Sequence, residues 1–376
     1  MISYAEAEKL LGIQAPDRSV LSLYLSVPLD PAELRELPAR AGELIAEAAR
    51  AGDDPTARRE RDEDRRLVQT LLEVHARDWL GHTVGIFACA QASLSEAIPL
   101  PCRLPERAVF AARPHVRPLL VALQRCPAYH VAVVDRRHAW VFTVAGERIA
   151  TLAQPTAEGV RSPGFGGWYG LESYRIDERI IQLARHHYHD TATVLEQAMR
   201  SGEQEPLVVG GHEDTIPPFL AVLPAVVRDR FAGSFIADPH TMTPARVREL
   251  ASPVVEDWVD AREQGLVMQF LCQPPDGLAA LGLKQCLDAV NQHAVQLLVV
   301  PVGGLIPGFA CDRCRALAST PGECPDGATA ARWVPDLIEE MVIKTRNDGG
   351  QVAAVRDPPA DIAARLRFPL TQGEAR

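Results

Sequence analysis

The 376-residue sequence lacks several features that would place it in a broad class at once. Lysine is nearly absent and occurs only at positions 9, 284 and 344, while acidic residues outnumber basic ones by 49 to 39. The net charge of −10 excludes a generally basic nucleic-acid coat protein. The longest apolar runs, such as residues 294–302, reach about half of the ~20 residues that span a bilayer. The first eleven residues carry charge and do not resemble a secretory signal, so the sequence predicts a cytoplasmic protein.

Almost all of the positive charge is arginine, which can hold a phosphate through two parallel hydrogen bonds and stack on bases. Any RNA contact of this acidic chain must come from local patches of such residues. A bias in genomic base composition would produce the same excess of arginine, so composition leaves both explanations open.

The order of the predicted elements indicates an α/β protein of three domains, in which the N-terminal domain is α+β. Hydrophobic patterning and turn residues divide the chain at 1–115, 116–240 and 241–376, with a proline-rich joint at 99–114. The predicted strands cover residues 18–27, 83–89, 129–134, 139–144, 148–152, 207–209, 233–237, 295–301 and 351–355. The predicted helices cover residues 4–11, 31–51, 56–77, 171–200, 218–229, 244–264, 278–293 and 333–347.

A glycine-rich loop at 161–170 precedes the longest predicted helix and contains Gly166, Gly167 and Trp168. Such loops can cradle phosphate at a helix N-terminus. This one lacks the lysine of a P-loop and the glycine spacing of a dinucleotide fold. A plain flexible loop is the simpler interpretation of the same residues.

The helix at 171–200 has a basic stripe, formed by Arg175, Arg179, His186 and His189, at a spacing that can follow a phosphate backbone. A solvated helix face explains the basic stripe as well. The histidines at 186–189 also suggest a metal site, but no cysteine near them supports it. The opposite face is predicted to be buried and comprises Ile176, Ile180, Leu183, Ala184, His187, Thr191, Val194 and Ala198.

Three cysteines cluster in a long predicted loop at 303–329. Cys311 and Cys314 form a C-x-x-C pair, and Cys324 follows shortly before Asp326. A closed structural zinc site needs four ligands, and a fourth cysteine is absent. Asp326 or a distant histidine could complete a zinc site; otherwise the cluster is metal-free and the protein has no cofactor.

The order of these segments resembles one family. The strand, Asp135-Arg136-Arg137-His138 turn and strand, then the Gly-Gly loop, the long basic helix and the segment Leu-Val-Val-Gly-Gly at 207–211, resemble the middle domain of archaeal and eukaryotic class-I release factors and Pelota. The cysteine cluster lies where that family has its zinc-knuckle insertion, and residues 362–368 resemble its last segment. The bacterial branch, which includes ribosome hibernation factors of the Balon type, is the most similar.

The sequence departs from this family at the residues that catalyse peptide release and at those that read the stop codon. Release factors carry Gly-Gly-Gln at the loop tip, where the glutamine helps to place the hydrolytic water. Gly166 and Gly167 match, but Trp168 replaces the glutamine, and an indole donates a hydrogen bond without accepting one. The stop-codon motifs Asn-Ile-Lys-Ser and Tyr-x-Cys-x-x-x-Phe are absent. No catalytic residue is therefore predicted.

The resemblance implies a ribosome-binding protein that occupies the A site without catalysing release, in hibernation or in the handling of stalled ribosomes. The loop tip would face the peptidyl-transferase centre, and the basic stripe would contact ribosomal RNA. A translational GTPase is a further expected partner, whereas a membrane or DNA is not. Two alternatives stay open: a codon-independent peptidyl-tRNA hydrolase that uses the glycine backbone, and an α/β binding protein unrelated to the ribosome.

Overall fold

The computed structural model describes residues 9–10, 12–13, 19–50, 58–155, 170–201, 205–271, 277–311, 313–321 and 331–370. The chain forms two compact units. Met1–Arg125 and Glu263–Arg376 together make the terminal unit, and Cys126–Arg262 makes the middle unit. The three-domain division of the sequence stays a prediction, but the middle unit begins and ends later than the predicted middle domain. Among the described helices, none is both long and apolar enough to cross a membrane.

The N-terminal part of the terminal unit is an antiparallel sheet in the order β3-β2-β1-β4, with helices on one face. Its elements are β1 (Val20–Ser26), α1 (Leu37–Arg50), α2 (Arg58–His75), β2 (Thr83–Cys89), β3 (Leu94–Leu100), β4 (Arg107–Ala111) and α3 (Arg117–Arg125). Side chains alternate along β1, so Leu21, Leu23 and Leu25 pack with α1 and α2, while Val20 and Tyr24 enter a second core. Burial on both faces explains the nearly continuous apolar run.

The middle unit is a five-stranded sheet covered by helices on both faces, in the order β7-β6-β5-β8-β9. Its elements are β5 (Tyr129–Val134), β6 (Ala139–Ala145), β7 (Arg148–Ala153), α4 (Gly170–Ala198), β8 (Leu207–Gly211), α5 (Ile216–Val222), α6 (Ala225–Arg228), β9 (Phe231–Ile236) and α7 (Pro244–Leu271). Strands β5, β8 and β9 are parallel. Ala132 and Val134 of β5 pack under α4 and α5, whereas Val131 and Val133 pack under α7.

The C-terminal part of the terminal unit has a mixed sheet in the order β10-β16-β11-β15 and a small sheet in the order β13-β12-β14. Its elements are β10 (Ala279–Leu281), α8 (Gly282–Asn291), β11 (Val295–Pro301), β12 (Gly308–Cys311), β13 (Leu317–Ala318), β14 (Ala331–Val334), α9 (Leu337–Asn347), β15 (Gln351–Val355) and β16 (Ala363–Leu366). Its core is continuous with that of α3 and the N-terminal sheet, because Leu119, Leu298 and Met341 belong to one buried cluster. These sheets and helices confirm the predicted α/β fold class.

Several element boundaries differ from the sequence-based prediction. The predicted helix at 278–293 begins as strand β10, and α8 starts at Gly282, whose φ of +79° suits glycine. The predicted helix at 333–347 is strand β14 followed by α9, which Asp336 caps. The predicted helix at 218–229 is two short helices separated by Pro224. The proline-rich stretch at 99–114 contains β4, which pairs with β1 and so belongs to the N-terminal sheet.

Short 3-10 helices complete the described secondary structure and lie at Pro31–Glu36, Ala76–Trp79, Ala90–Ala92, Met199–Ser201, Pro239–Thr241 and Pro359–Asp361. The predicted strand at 207–209 continues through Gly210 and Gly211, which end β8. A Cβ at Gly210 would lie 2.5 Å from Cζ of Phe235, and one at Gly211 would lie 2.5 Å from the carbonyl oxygen of Val134. These glycines therefore allow β8 to fit tightly between its neighbours.

Candidate functional site

Helix α4 presents the part of the basic stripe that the structure describes. His186 and His189 are exposed, as the helical pattern predicts, while His187 and Thr191 lie on the buried face. Arg175 and Arg179 lie within α4, but their side chains fall outside the described residues. The loop tip, Gly166, Gly167 and Trp168, also falls outside them. RNA contact by these residues stays a prediction.

The exposed face of α4 carries one arginine that the basic stripe omitted. Arg185 is exposed and has no carboxylate partner among the described residues. His186 Nε2 lies 3.8 Å from Oδ2 of Asp190, so one carboxylate offsets part of the positive charge of this face. At neutral pH, Arg185 is therefore the one permanent positive charge among the described side chains of this face before Arg200 at the helix end.

The turn between β5 and β6 packs against His187 on the buried side of α4. Asp135 Oδ1 accepts hydrogen bonds from the backbone of Arg137 at 2.5 Å and of His138 at 2.6 Å. Burial raises the pKa of Asp135, but these backbone hydrogen bonds outweigh it and hold the pKa below its ordinary value. The Asp135 carboxylate thus fixes the turn.

Burial lowers the pKa of His187, although its ring hydrogen-bonds the backbone of His138. Its Nε2 is buried and has no hydrogen-bond partner. A neutral His187 is therefore a structural tie between α4 and the turn. Because His187 faces the core while His186 and His189 face away, these three histidines do not form the metal site considered from the sequence.

The cysteine pair lies in a tight turn after β12. Cys311 is buried and Cys314 is half-buried. The backbone N–H of Arg315 donates to the carbonyl oxygen of Cys311 at 2.8 Å. Lys344 Nζ donates to the carbonyl oxygen of Arg315 at 3.0 Å, and burial lowers the pKa of this lysine.

Zinc fits these residues only in part. The turn offers two thiols, and Cys324 lies outside the described residues. No described histidine, aspartate or glutamate joins the two thiols in a cluster of metal-ligand geometry. A closed structural zinc site needs four ligands, and the described part of this region supplies two.

A buried charged cluster that sequence analysis did not predict lies in the terminal unit and is formed by His115, Arg117, Asp336 and Glu339. Asp336 Oδ2 lies 2.9 Å from Nε2 of His115 and 2.8 Å from Nη2 of Arg117. Glu339 accepts hydrogen bonds from the backbone N–H of Val116 at 2.8 Å and of Arg117 at 2.9 Å. The pattern Asp336-x-x-Glu339 is that of a capping box, and this was the available sequence signal. All four side chains are at most 8% exposed.

Contacts to the backbone extend the buried charged cluster into both parts of the terminal unit. Arg117 Nη1 donates to the carbonyl oxygen of Pro301 at 3.3 Å, and Nη2 donates to that of Gly304. Tyr24 Oη donates to the carbonyl oxygen of His115 at 2.6 Å. Strand β1, the start of α3, the loop after β11 and the start of α9 therefore meet at this cluster.

Ligand atoms of His115, Asp336 and Glu339 lie within 4.8 Å of one another, close enough to hold a cation. Their existing contacts argue against one, because both Glu339 oxygens accept amide hydrogen bonds and Asp336 Oδ2 already contacts Arg117. The guanidinium of Arg117 cannot lose its proton and supplies the positive charge that a metal would bring. The arrangement is an ionic cluster rather than a metal site.

Burial raises the pKa of Asp336, but the hydrogen bond from His115 and the charge of Arg117 outweigh it, so the pKa lies below its ordinary value. Burial also raises the pKa of Glu339, and there it prevails over the charges of His115 and Arg117. The two shifts have opposite directions, so Glu339 binds a proton more readily than Asp336 does.

Comparison with known proteins identifies the middle unit. Residues 114–263 match the model of bacterial archaeo-eukaryotic release factor family 10, a range that nearly coincides with the middle unit. The chain is also 25% identical over 285 residues to peptide chain release factor subunit 1 of Thermoplasma acidophilum, a match that covers 68% of this chain and 67% of that protein. Residues 114–263 are therefore similar to a bacterial branch of the release-factor superfamily, and the chain is similar in sequence to an archaeal release factor. The resemblance found in the sequence is thereby confirmed at this level, and its Balon-type detail stays a prediction.

Peptide chain release factor subunit 1 of Methanopyrus kandleri is 27% identical over 196 residues, which cover 50% of this chain and 46% of that protein. Solved structures of release-factor and Pelota proteins match this chain at low sequence identity and low TM-score. Archaeal translation termination factor aRF1 is 15% identical, with 98% of this chain and 99% of that chain covered and a TM-score of 0.27. Dom34 of S. cerevisiae is 10% identical, with 79% and 83% covered and a TM-score of 0.44.

Proposed function

We propose that this protein binds the ribosome in the A site as a release-factor-like protein that does not catalyse peptide release. Its role would be in ribosome hibernation or in the handling of stalled ribosomes, and its location would be cytoplasmic. The observation that carries the proposal is the match of residues 114–263 to a release-factor family model, which covers the whole of the middle unit. A translational GTPase partner remains an expectation.

The exposed face of α4 is the part of the middle unit that the proposal assigns to RNA. Arg185 offers a permanent charge, and His189 is exposed beside it without a carboxylate partner among the described residues. The buried face of the same helix packs on the sheet through Ala184, Tyr188 and Leu195. Side chains on the exposed face can therefore be changed without altering the core.

The loop tip supports the proposal that the protein does not catalyse peptide release. Trp168 stands at the position where the superfamily's glutamine helps to place water. Its indole N–H can donate a hydrogen bond, but the side chain has no group that accepts one. Gly166 and Gly167 keep the backbone amides, so the loop can enter a crowded site without the side chain that orients the nucleophile.

Co-sedimentation of the full chain with purified ribosomes tests the proposal. Arg185→Glu combined with His189→Glu should weaken binding several-fold, because each change places negative charge against phosphate. The matched control is Arg65→Glu combined with Arg66→Glu, which reverses two exposed arginines of α2. The control should bind as the wild type does.

Two results would contradict the proposal. Failure of the wild-type chain to co-sediment at low salt would show that the protein does not bind the ribosome. Equal loss of binding in both double variants would show that net charge, rather than the α4 face, determines association.

A further inference from the structure

A basic surface, called here the α9-end surface, lies at the C-terminal end of α9. It consists of four cationic side chains that form no ion pair with a carboxylate among the described residues: Arg313, Arg315, Lys344 and Arg367. The first two lie in the turn between β12 and β13, Lys344 lies in the last turn of α9, and Arg367 directly follows β16. The three arginines are exposed and Lys344 is half-buried. In a chain with a net charge of −10, such a concentration of positive charge favours an anionic ligand.

Hydrogen bonds attach the turn between β12 and β13 to two helices. Lys344 Nζ donates to the carbonyl oxygen of Arg315 at 3.0 Å and to Oδ1 of Asn291, the last residue of α8, at 3.2 Å. The Asn291 side chain also accepts from the backbone N–H of Leu317 at 2.9 Å and donates to its carbonyl oxygen at 2.8 Å. The turn is therefore fixed to the ends of both α8 and α9.

Arg367 is held at the same end of α9. Its Nη2 donates to the carbonyl oxygen of Asp348 at 2.9 Å, and its backbone N–H donates to the carbonyl oxygen of Ala294 at 2.7 Å. The carboxylate of Asp348 is engaged by His293, whose Nδ1 lies 2.8 Å from Oδ2. Asp288 is exposed one turn before the end of α8. Four cations against these two carboxylates leave the α9-end surface with a net positive charge.

The backbone at this surface is held in a conformation that residues with side chains rarely adopt. His293 has a φ of +56° and Arg315 has a φ of +57°. A non-glycine residue in the left-handed region costs about 1–3 kcal/mol and persists only where surrounding contacts determine it. For Arg315 these contacts include the hydrogen bond from Lys344 and the closure of the turn, in which the N–H of Cys311 donates to the carbonyl oxygen of Ala316 at 2.9 Å. The backbone of Arg315 is therefore fixed before a ligand binds, which lowers the entropic cost of binding.

The donors of the α9-end surface suit phosphate groups. A guanidinium binds phosphate through two parallel hydrogen bonds, and three of the four cations are arginines. Lys344 uses two of its three N–H donors on protein oxygens, which leaves one for a ligand. A nucleic-acid backbone repeats its phosphates regularly and releases condensed counterions when cations neutralise them. A disordered acidic peptide would have to become ordered on this surface, at an entropic cost, so these properties favour a nucleic acid.

We propose that the α9-end surface binds the phosphate backbone of RNA. It belongs to the terminal unit and is separate from the exposed face of α4, which lies in the middle unit. The choice of RNA over DNA rests on the proposed function, whereas the phosphate contact rests on the four cations and their fixed positions. The contact is therefore measured with RNA alone, so that its outcome is independent of ribosome binding.

Fluorescence anisotropy of a labelled RNA duplex, titrated with the full chain at several salt concentrations, tests this proposal. Arg313→Glu combined with Arg315→Glu should weaken binding about tenfold, because two cations that contact phosphate become anions that repel it. Each lost phosphate contact should also reduce the slope of log affinity against log salt by about 1. Arg367→Gln removes one charge from a different segment and should weaken binding several-fold, so the test does not depend on the folding of the double variant.

The matched control is Arg65→Glu combined with Arg66→Glu, which makes the same change in net charge on α2 and should bind RNA as the wild type does. The proposal would be overturned if the wild type did not bind RNA at low salt, if both α9-end variants bound as the wild type does, or if the control lost as much affinity as they do. Tighter binding of a DNA duplex of the same sequence would overturn the assignment to RNA. Displacement of the RNA by poly-glutamate as readily as by unlabelled RNA would show that an acidic protein segment fits equally well, and would overturn it too.

Discussion

Replacing Arg117 with methionine should destabilise the terminal unit more than any surface substitution. The Arg117 side chain is 2% exposed, pairs with Asp336 at 2.8 Å and donates to the carbonyl oxygens of Pro301 and Gly304. Methionine keeps most of the length but none of the donors, so the buried Asp336 carboxylate loses its arginine and two carbonyl groups lose a donor. Removing one member of a buried ion pair costs about 3–5 kcal/mol. Whole domains are stable by only ~5–15 kcal/mol, so this change should remove a large part of the free energy of unfolding.

Hydrogen exchange in increasing urea, followed on peptides of α3 and β1, measures that loss in the terminal unit itself. The control is Arg365→Met, an exposed arginine of β16, which should change the free energy of unfolding by less than about 0.5 kcal/mol. If Arg117→Met costs no more than the control, the buried charged cluster does not hold the terminal unit together.

Three further outcomes are expected. Gly210→Ala should destabilise the middle unit by about 1–3 kcal/mol, because the new Cβ would lie 2.5 Å from the Phe235 ring. Gly265→Ala adds a Cβ in open space and should not destabilise the protein, and thermal unfolding of the two variants tests the difference. Metal analysis of chain purified without added zinc should give well below one equivalent, and a full equivalent that is lost in Cys311→Ser would contradict this. Purified chain should not release peptide from peptidyl-tRNA on ribosomes, and release at the rate of a release factor would show that the loop tip is catalytic.

Strands buried on both faces were the most predictable elements. β5 and β11 carry continuous apolar runs because helices or a second core cover each face, and their bounds match the prediction. β3 was missed because it is an edge strand with mostly half-buried side chains and contains Pro99, which only an edge tolerates. β10 was missed because it has three residues and runs directly into α8.

The candidate sites also differ in how far the sequence could predict them. The face of α4 that carries His186 and His189 could be predicted, because helical periodicity alone separates exposed from buried positions. The buried charged cluster could not, because His115 and Asp336 are 221 residues apart and only the tertiary fold brings them together. The pattern Asp336-x-x-Glu339 correctly marks a helix start, but Glu339 caps α3 rather than its own helix.

The charge of the chain limits how strongly α4 can bind RNA. Many arginines are already held by carboxylates, among them Arg125 by Glu263 and Arg136 by Asp214. Of the described side chains on the α4 face, Arg185 alone is permanently charged without such a partner until the C-terminal end of the helix. Each phosphate contact contributes about 0.9 to the slope of log affinity against log salt on a duplex. If ribosome binding falls steeply with salt, the side chains of Arg175 and Arg179 on the same face, or a second surface, must also contact phosphate. If it falls only slightly, shape complementarity and the loop tip contribute most of the affinity.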